Sequence, residues 1–489
     1  MKTAKNLLFA GVMMILLFSA FQKKYRAIPE PELTGFYKLK EVPSLRLFSP
    51  ENWKTGYFQD EYSRRLEDHI GFRNSLFRLN NQLDFSLFGI THAEGFIRGK
   101  KNFLFEEDYI REYTGDYFIG KAVIDQKVNM LKMAQDSLAK YGIPLIPVFE
   151  PGKASFFPEY IPARYHPQKK SLSNYEYFVQ RAKETGLLYL DLNRAFLQMK
   201  DTSRFPLFPA YGMHWSLYGA AVAVDTLSSY IQHLKPGSLP EFRIGSIMES
   251  DIPRGTDYDI AEVLNVMCAL PPTPGAYPET TIENSPEKRK LRVLVIADSY
   301  YLNILEPYGR KLFRSQEYWY YNQKLYPRHN VTPPLYVNKS DLLKKLKKFD
   351  LILLMSSEIN LHCAFWNFAD EAFYAFRPWP PQPALARIAN DIRNDREWFR
   401  FMVAKSRSNN KPLDEMITDD ARFMFFTTFK DIPWKSYLDT IDFIGLEIRQ
   451  NADWLEAVKK KALDNNVPLD EMITRDATYT YEQKRAKKW

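Results

Sequence analysis

A three-layer α/β/α domain on a parallel sheet is the fold class that this sequence predicts. Two patterns carry the prediction: short runs that are apolar on both faces, and amphipathic helical stretches that separate them. A third observation, a duplicated segment near the C-terminus, adds helical repeats outside the layered core.

The chain opens with MKTAKNLLFAGVMMILLFSAFQKKYR: two lysines, an apolar run from Leu7 to Phe21, then Lys23, Lys24 and Arg26. In outline this is an export signal. The run is short against the roughly 20 apolar residues of a membrane span. Phe18 stands two positions before Ala20, where a cleavage site wants a small residue. An uncleaved signal anchor within residues 1–30, with the remainder outside the cytoplasm, is therefore expected over a cleaved peptide. Residues 53–89 carry apolar and aromatic positions at three- and four-residue spacing, predicting a helical region that packs as a collar on the sheet.

From Leu145 the layered pattern begins. LIPVF (145–149) predicts a buried strand, 171–185 a helix, LLYLDL (187–192) a second strand and 216–233 a second helix. LRVLVIADS (291–299) is the strongest strand signal in the chain, and Tyr318–Asn322 and DLILLMSS (350–357) follow, with a helical SDLLKKLKK between them. Residues 235–290, rich in proline and acidic side chains, read as an excursion from this core. Its DIPRGTDYDIAEVLNVM run is expected to shape the surface near the sheet's active edge.

Ile392 to Ala421 aligns with Ile448 to Ala477 at a constant offset of 56 residues, as in Trp398/Trp454, Lys405/Lys461 and Pro412/Pro468. Each unit predicts two helices around an Asn-Asn-x-Pro turn. The expected organisation is an anchor (1–30), an α/β domain (31–365) and a helical tandem repeat (385–489, units about 392–421 and 448–477), with Trp398 and Trp454 in equivalent buried positions. The repeated PLDEMIT runs fit structural capping better than a recognition surface.

The 489 residues carry a formal net charge of +8 and a pI near 9.0, which would suit an anionic partner. Lysine and arginine are nevertheless spread along the chain, without zinc-finger, RNP or basic-zipper spacing, so nucleic-acid binding is not predicted. No metal or cofactor site is predicted. Cys268 and Cys363 lie far apart and exclude a CxxC site, leaving at most one bridge open. Aromatic residues make up 15% of the chain, which fits an aromatic glycan groove or simply a buried aromatic core.

Two residues carry chemistry. Ser299 ends the strongest strand, where parallel sheets place ligands, and backbone N–H groups of the turn it opens could hold an oxyanion. An Asp298-Ser299 helix cap would account for the same dipeptide. His214, in GMHWS, also precedes a helix and should share that sheet edge. A histidine that activates a serine normally has a carboxylate behind it, and the upstream neighbours here are Tyr211, Gly212 and Met213.

With MHWS (213–216) ahead of ADSY (297–300), the sequence resembles the alginate O-acetyltransferase family of SGNH-hydrolase-like proteins, in which the histidine block precedes the serine block. Residues 56–83, including Asp68, Phe72 and Arg73, are similar to that family's helical opening, and GFIRGKKNFLF (95–105) to its following hairpin. PVFEPGKASFFPEYIP (147–162), with Lys153, and DLILLMSSEINL (350–361) resemble two further blocks, so the likeness spans roughly residues 50–365. It implies a circularly permuted SGNH-type α/β/α domain in which Ser299 carries an acetyl ester, His214 is the general base, and Lys153, Trp215 and Tyr300 contact substrate. It implies a periplasmic protein held at the inner membrane, a polysaccharide acceptor and a multi-spanning membrane acyltransferase as donor. Two alternatives stand beside it: a carbohydrate acetyl-esterase, with water as acceptor, and a catalytically impaired glycan-binding or scaffold protein. The last follows from a departure. The family's Asp-Thr-His-Trp-Thr reads Gly-Met-His-Trp-Ser here, with Gly212 in the aspartate's place, and Ala297 replaces the glycine of the serine block. Slow turnover is therefore expected unless another acid stands behind His214. Gly212→Asp is expected to raise activity unless a positive φ requires the glycine.

Overall fold

The computed structural model describes residues 2–35, 48–165, 170–327, 334–339, 341–376, 384–429, 451–465 and 469–486, together with 441, 444, 445, 447–449 and 467. Pro468, one of the aligned repeat positions, lies outside the described residues. The strands are β1 (Phe96–Arg98), β2 (Leu104–Glu106), β3 (Leu145–Glu150), β4 (Leu190–Asp191), β5 (Phe242–Ser250), β6 (Gly275–Ile282), β7 (Arg292–Ala297), β8 (Ser315–Tyr320), β9 (Lys324–Leu325) and β10 (Leu351–Ser357). Six of them form the central sheet in the order β4-β3-β10-β7-β8-β9, parallel except for β9, which turns back on β8.

Period-two alternation sends the apolar residues of each strand to both faces. Val293, Val295 and Leu353 pack on one side with Ala220, Val224 and Leu227 of the helix Leu217–Leu234. Leu294, Ile296, Ile352 and Leu354 pack on the other with the helices Lys121–Ala139 and Asn174–Thr185. This is the three-layer α/β/α arrangement, and every position of β3 and β10 is buried in it.

Three elements depart from expectation. The predicted strand 187–192 pairs over only two residues, because Asp191 caps the helix Leu192–Met199 by accepting a 2.8 Å bond from the Arg194 N–H. The predicted strand 318–322 starts at Ser315 and stops at Tyr320, because Tyr321 and Asn322 adopt left-handed backbone (φ 51 and 54) and reverse the chain into β9. The excursion is more ordered than its composition suggests. It holds the antiparallel pair β5–β6 and, between them, a short helix Asp259–Val263. Both cysteines are free, so no bridge joins Cys268 to Cys363.

The helical N-terminal region does not collar the sheet. Helix Arg73–Phe88 turns Asn81 and Phe85 inward against the excursion instead. Asn81 Nδ2 donates to the Leu264 carbonyl at 2.9 Å, and the Cys268 N–H donates to Gln82 Oε1 at 2.9 Å. Phe85 joins Leu104, Tyr211, Ile260, Ala261 and Leu264 in a small separate core. Leu76, Leu79, Leu83 and Leu87, on the outer stripe of the same helix, stay exposed. Upstream, residues 5–25 of the helix Lys2–Tyr25 are long and apolar enough to cross a membrane.

The first repeat unit is part of the main core. Ile392, Phe399, Met402 and Val403 share one apolar cluster with Leu294, Ile352 and Phe365. The second unit has a core of its own, with Ile448, Val458, Met472, Ile473 and Ala477. Trp398 and Trp454 are half-buried rather than buried, and they make the same contact: each indole N–H donates to an aspartate 22 residues later, Asp420 at 3.0 Å and Asp476 at 3.1 Å.

Unit one is fastened by a buried charge. Lys127 Nζ donates to Asp370 Oδ2 at 2.5 Å and to Asn390 Oδ1 at 2.8 Å. Removing one partner of a buried ion pair strands the other. Asp370→Ala is therefore expected to cost about 3–5 kcal/mol. The double variant Lys127→Met/Asp370→Leu, which removes both charges of the pair together, should cost less, and urea midpoints compare the two.

Candidate active site

β7 ends at Ala297, and the chain turns at once into a short helical turn that starts at Ser299. Asp298 fixes that turn. Its Oδ1 accepts from the Tyr300 N–H at 3.1 Å, and its Oδ2 accepts from the Ser357 N–H (3.0 Å) and Ser357 Oγ (2.6 Å) at the end of β10 and from Asn360 Nδ2 (2.8 Å) just after it. The capping explanation of Asp298-Ser299 thus holds, and the turn it caps aims Ser299 at His214. His214 Nε2 lies 2.9 Å from Ser299 Oγ.

Behind the histidine stands Asp259. Its Oδ2 is 3.1 Å from His214 Nδ1, and its Oδ1 accepts from the Met213 N–H at 2.8 Å. The two contacts fix the carboxylate's orientation. With Nδ1–H donating to Asp259, Nε2 is left as acceptor for the Ser299 hydroxyl, the arrangement in which imidazole can take the serine proton. The expected empty place behind His214 is filled from the excursion, 45 residues downstream in sequence.

Gly212 is explained by the same packing. A Cβ there would lie 2.2 Å from the Thr256 carbonyl oxygen and 2.7 Å from Pro209 Cγ, while the glycine's φ is not left-handed. The position is reserved for close approach of the excursion, not for positive φ. That approach is what delivers Asp259. Asp257, two residues earlier, accepts from the Leu217 N–H at 3.1 Å, and burial pushes its carboxyl up to about 7.

Lys153, Trp215 and Tyr300, expected to touch substrate, are buried beneath the site, at 1%, 0% and 1% exposure. Lys153 Nζ donates to the carbonyls of Ala210 (2.9 Å) and Gly212 (2.7 Å), bracing the loop that presents His214. Burial lowers its pKa to about 7, against an opposing pull from Asp259 and Asp257. Tyr300 packs edge-on to His214 at 4.9 Å and to Trp215 at 5.0 Å. These side chains are too deep to face a ligand; they set the height and tilt of the imidazole.

Tyr321 escapes the sequence, and Glu358 is the glutamate of the DLILLMSSEINL block. Tyr321, in the left-handed turn after β8, donates its backbone N–H to the Ala297 carbonyl at 2.9 Å, and its phenol faces Ser299. Burial holds that phenol well above its ordinary pKa, so it remains a proton-bearing donor. Glu358, buried after β10, accepts from Ser155 Oγ and Asn193 Nδ2 and ties the Lys153 segment to the sheet edge. Burial pushes its carboxyl up to about 8.

A Ser-His-Asp constellation at the carboxyl edge of a parallel three-layer sheet defines the class as SGNH-hydrolase-like. Residues 96–295 match the family model of the SGNH hydrolase-like domain of the acetyltransferase AlgX. The match ends four residues before Ser299. In structure the chain is similar to the O-acetyltransferase domain of Pseudomonas putida AlgJ, with 20% identity and a TM-score of 0.37 over 55% of this chain and 92% of that one. Pseudomonas aeruginosa AlgX follows at 14% identity and a TM-score of 0.33, over 54% of this chain and 61% of that one. Bacillus cereus PatB1 is similar at 9% identity and a TM-score of 0.32, over 50% and 91%. Among curated proteins, none matches the chain in sequence.

Two outcomes follow from the geometry. Asp259→Asn should keep the fold and lower turnover by about 10⁴, as expected when the orienting acid behind a catalytic histidine loses its charge. Gly212→Asp, in contrast to the expectation from sequence, should lower both melting temperature and activity. For Glu358, the folded carboxyl keeps its proton up to about pH 8 while an ordinary one releases it near 4.5. Its stabilising contribution is present below pH 4.5 and is lost as pH rises through 8. Glu358→Gln should therefore lose less melting temperature than the wild type between pH 5 and pH 9.

Proposed function

We propose that the protein transfers acetyl groups to hydroxyls of an exported polysaccharide through an acyl-enzyme on Ser299. The observation that carries this reading is the histidine bridge, with Ser299 Oγ at 2.9 Å on one ring nitrogen and Asp259 Oδ2 at 3.1 Å on the other. Ser299 Oγ attacks the donor's acetyl carbonyl while His214 Nε2 takes the hydroxyl proton. The tetrahedral oxyanion is stabilised by the Tyr321 phenol and the backbone of the Ser299 turn. Collapse breaks the bond to the donor, whose leaving group departs with the proton from His214. A sugar hydroxyl then attacks the serine ester, His214 accepts its proton, and that proton returns to Ser299 as the acetylated sugar leaves.

The AlgX-type domain supports a polysaccharide acceptor. The apolar helix Lys2–Tyr25 supports an anchor that leaves the site on the periplasmic side, out of reach of cytoplasmic acetyl donors. A multi-spanning membrane acyltransferase is the donor this arrangement calls for. The scaffold alternative rested on the missing aspartate, and Asp259 removes that motive.

A serine-directed fluorophosphonate, followed by peptide mass spectrometry, tests the assignment. Label on Ser299 in the wild type, none in Ser299→Ala and strongly reduced label in His214→Ala are expected, together with acetylated oligosaccharide when 4-nitrophenyl acetate is the donor. A folded wild type that takes no label would contradict an enzyme. Labelling and ester cleavage without acetylated sugar would make it an esterase.

A further inference from the structure

Ser299 opens into a groove of about 380 Å³, and its far wall is not part of the AlgX-type segment. That wall is the helix Arg396–Ser408 of the first repeat unit, which contributes Arg396, Phe399 and Arg400. We infer that this helix is a substrate-binding element, in which Arg396 holds the sugar ring next to the hydroxyl being acetylated. The inference rests on the polysaccharide reading above and adds the subsite and its ligand class.

The wall is built, not incidental. Phe399 is buried and stacks on His362 with ring centroids 3.9 Å apart and 16° between planes, locking the helix to the segment after β10. Arg396 Nη2 reaches Asp108 Oδ2 at 2.8 Å and also bonds Glu106, while Arg400 Nη2 reaches Asp108 Oδ2 at 2.7 Å. The Arg396 side chain nonetheless remains 56% exposed, and its Nη1 has no hydrogen-bond partner among the described residues. A half-exposed guanidinium clamped on one edge and open on the other offers fixed donors for adjacent ring hydroxyls.

The duplication supplies an internal control. Both units keep their internal frame, since Lys405 bonds Asp420 at 3.0 Å as Lys461 bonds Asp476 at 2.6 Å, in addition to the paired tryptophan contacts. At the groove positions they diverge: Arg396, Phe399 and Arg400 correspond to Ala452, Leu455 and Glu456. The unit folds without the arginine pair, so the pair belongs to the surface that unit one presents to the catalytic domain. Because Glu106 and Asp108 balance the two arginines, the wall presents donors without net charge. A neutral hydroxylated ring suits it better than a uronate.

The test uses the full chain, 4-nitrophenyl acetate as donor, and a panel of neutral and uronate hexasaccharides as acceptors, with acetylated sugar read by mass spectrometry. Arg396→Ala should raise the KM for neutral acceptors at least tenfold more than it changes hydrolysis of 4-nitrophenyl acetate. Glu456→Ala, at the equivalent of Arg400 in the second unit, should match the wild type on both. Should Arg396→Ala lower the melting temperature, Arg396→Gln, which keeps an N–H donor toward Asp108, is the second variant and should show the same selective loss. An unchanged acceptor KM, or equal losses on ester and sugar in a folded variant, would overturn the inference. A wild type that cleaves the ester and acetylates no member of the panel would instead overturn the polysaccharide reading on which the inference rests. Preference for uronate acceptors would overturn the neutral-ring assignment.

Discussion

Everything proposed for this protein depends on one imidazole ring held between a serine and a carboxylate. His214 can act as a base only if its proton sits on Nδ1, and Asp259 Oδ2, 3.1 Å from that nitrogen, is placed to accept it. The neighbouring structure serves that contact. Lys153 pulls the 210–212 backbone down, Tyr300 supports the ring from below, and Gly212 leaves the space through which the excursion approaches. The N-terminal helix Arg73–Phe88 then holds the excursion itself, through Asn81 and Phe85. An element far from the sheet edge thus reaches the catalytic geometry through one chain of packed contacts.

The central sheet was legible because its middle strands are buried on both faces. β3, β7 and β10 read as short, largely apolar runs, and their length favours strands over core helices. At the sheet margin the reading failed for a physical reason. β4 has a partner on one side only and ends in a helix cap, so its apolar residues say little about strand length. Helix Arg73–Phe88 carries a helical apolar pattern, yet its leucine stripe faces outward. Periodicity reports an amphipathic face without saying what covers it.

Of the site, Ser299 and His214 stood out in the sequence through their place at the sheet's carboxyl edge together with the resemblance of the MHWS and ADSY blocks, since position alone left Asp298-Ser299 open to a helix cap. Asp259 could not be assigned, since its role depends on how a 56-residue excursion (235–290) folds back. The DIPRGTDYDIAEV run held the signal, three aspartates among aromatic and apolar residues, but nothing in it distinguishes Asp257, which accepts from the Leu217 N–H, from Asp259, which lies against His214. Arg396 was further out of reach. It lies in a repeat whose duplication pointed to structure, and only the difference between the two copies marks it.

The account stands on the protonation of one nitrogen, which can be observed directly. In protein carrying ¹⁵N-labelled histidine, NMR should show His214 with a protonated Nδ1, a bare Nε2 and a far-downfield proton on Nδ1. That proton should disappear in Asp259→Asn while the remaining histidine signals stay in place. A His214 protonated on Nε2, or one whose spectrum does not change when Asp259 is replaced, would contradict the assignment of Asp259 and the acyl-transfer mechanism that depends on it.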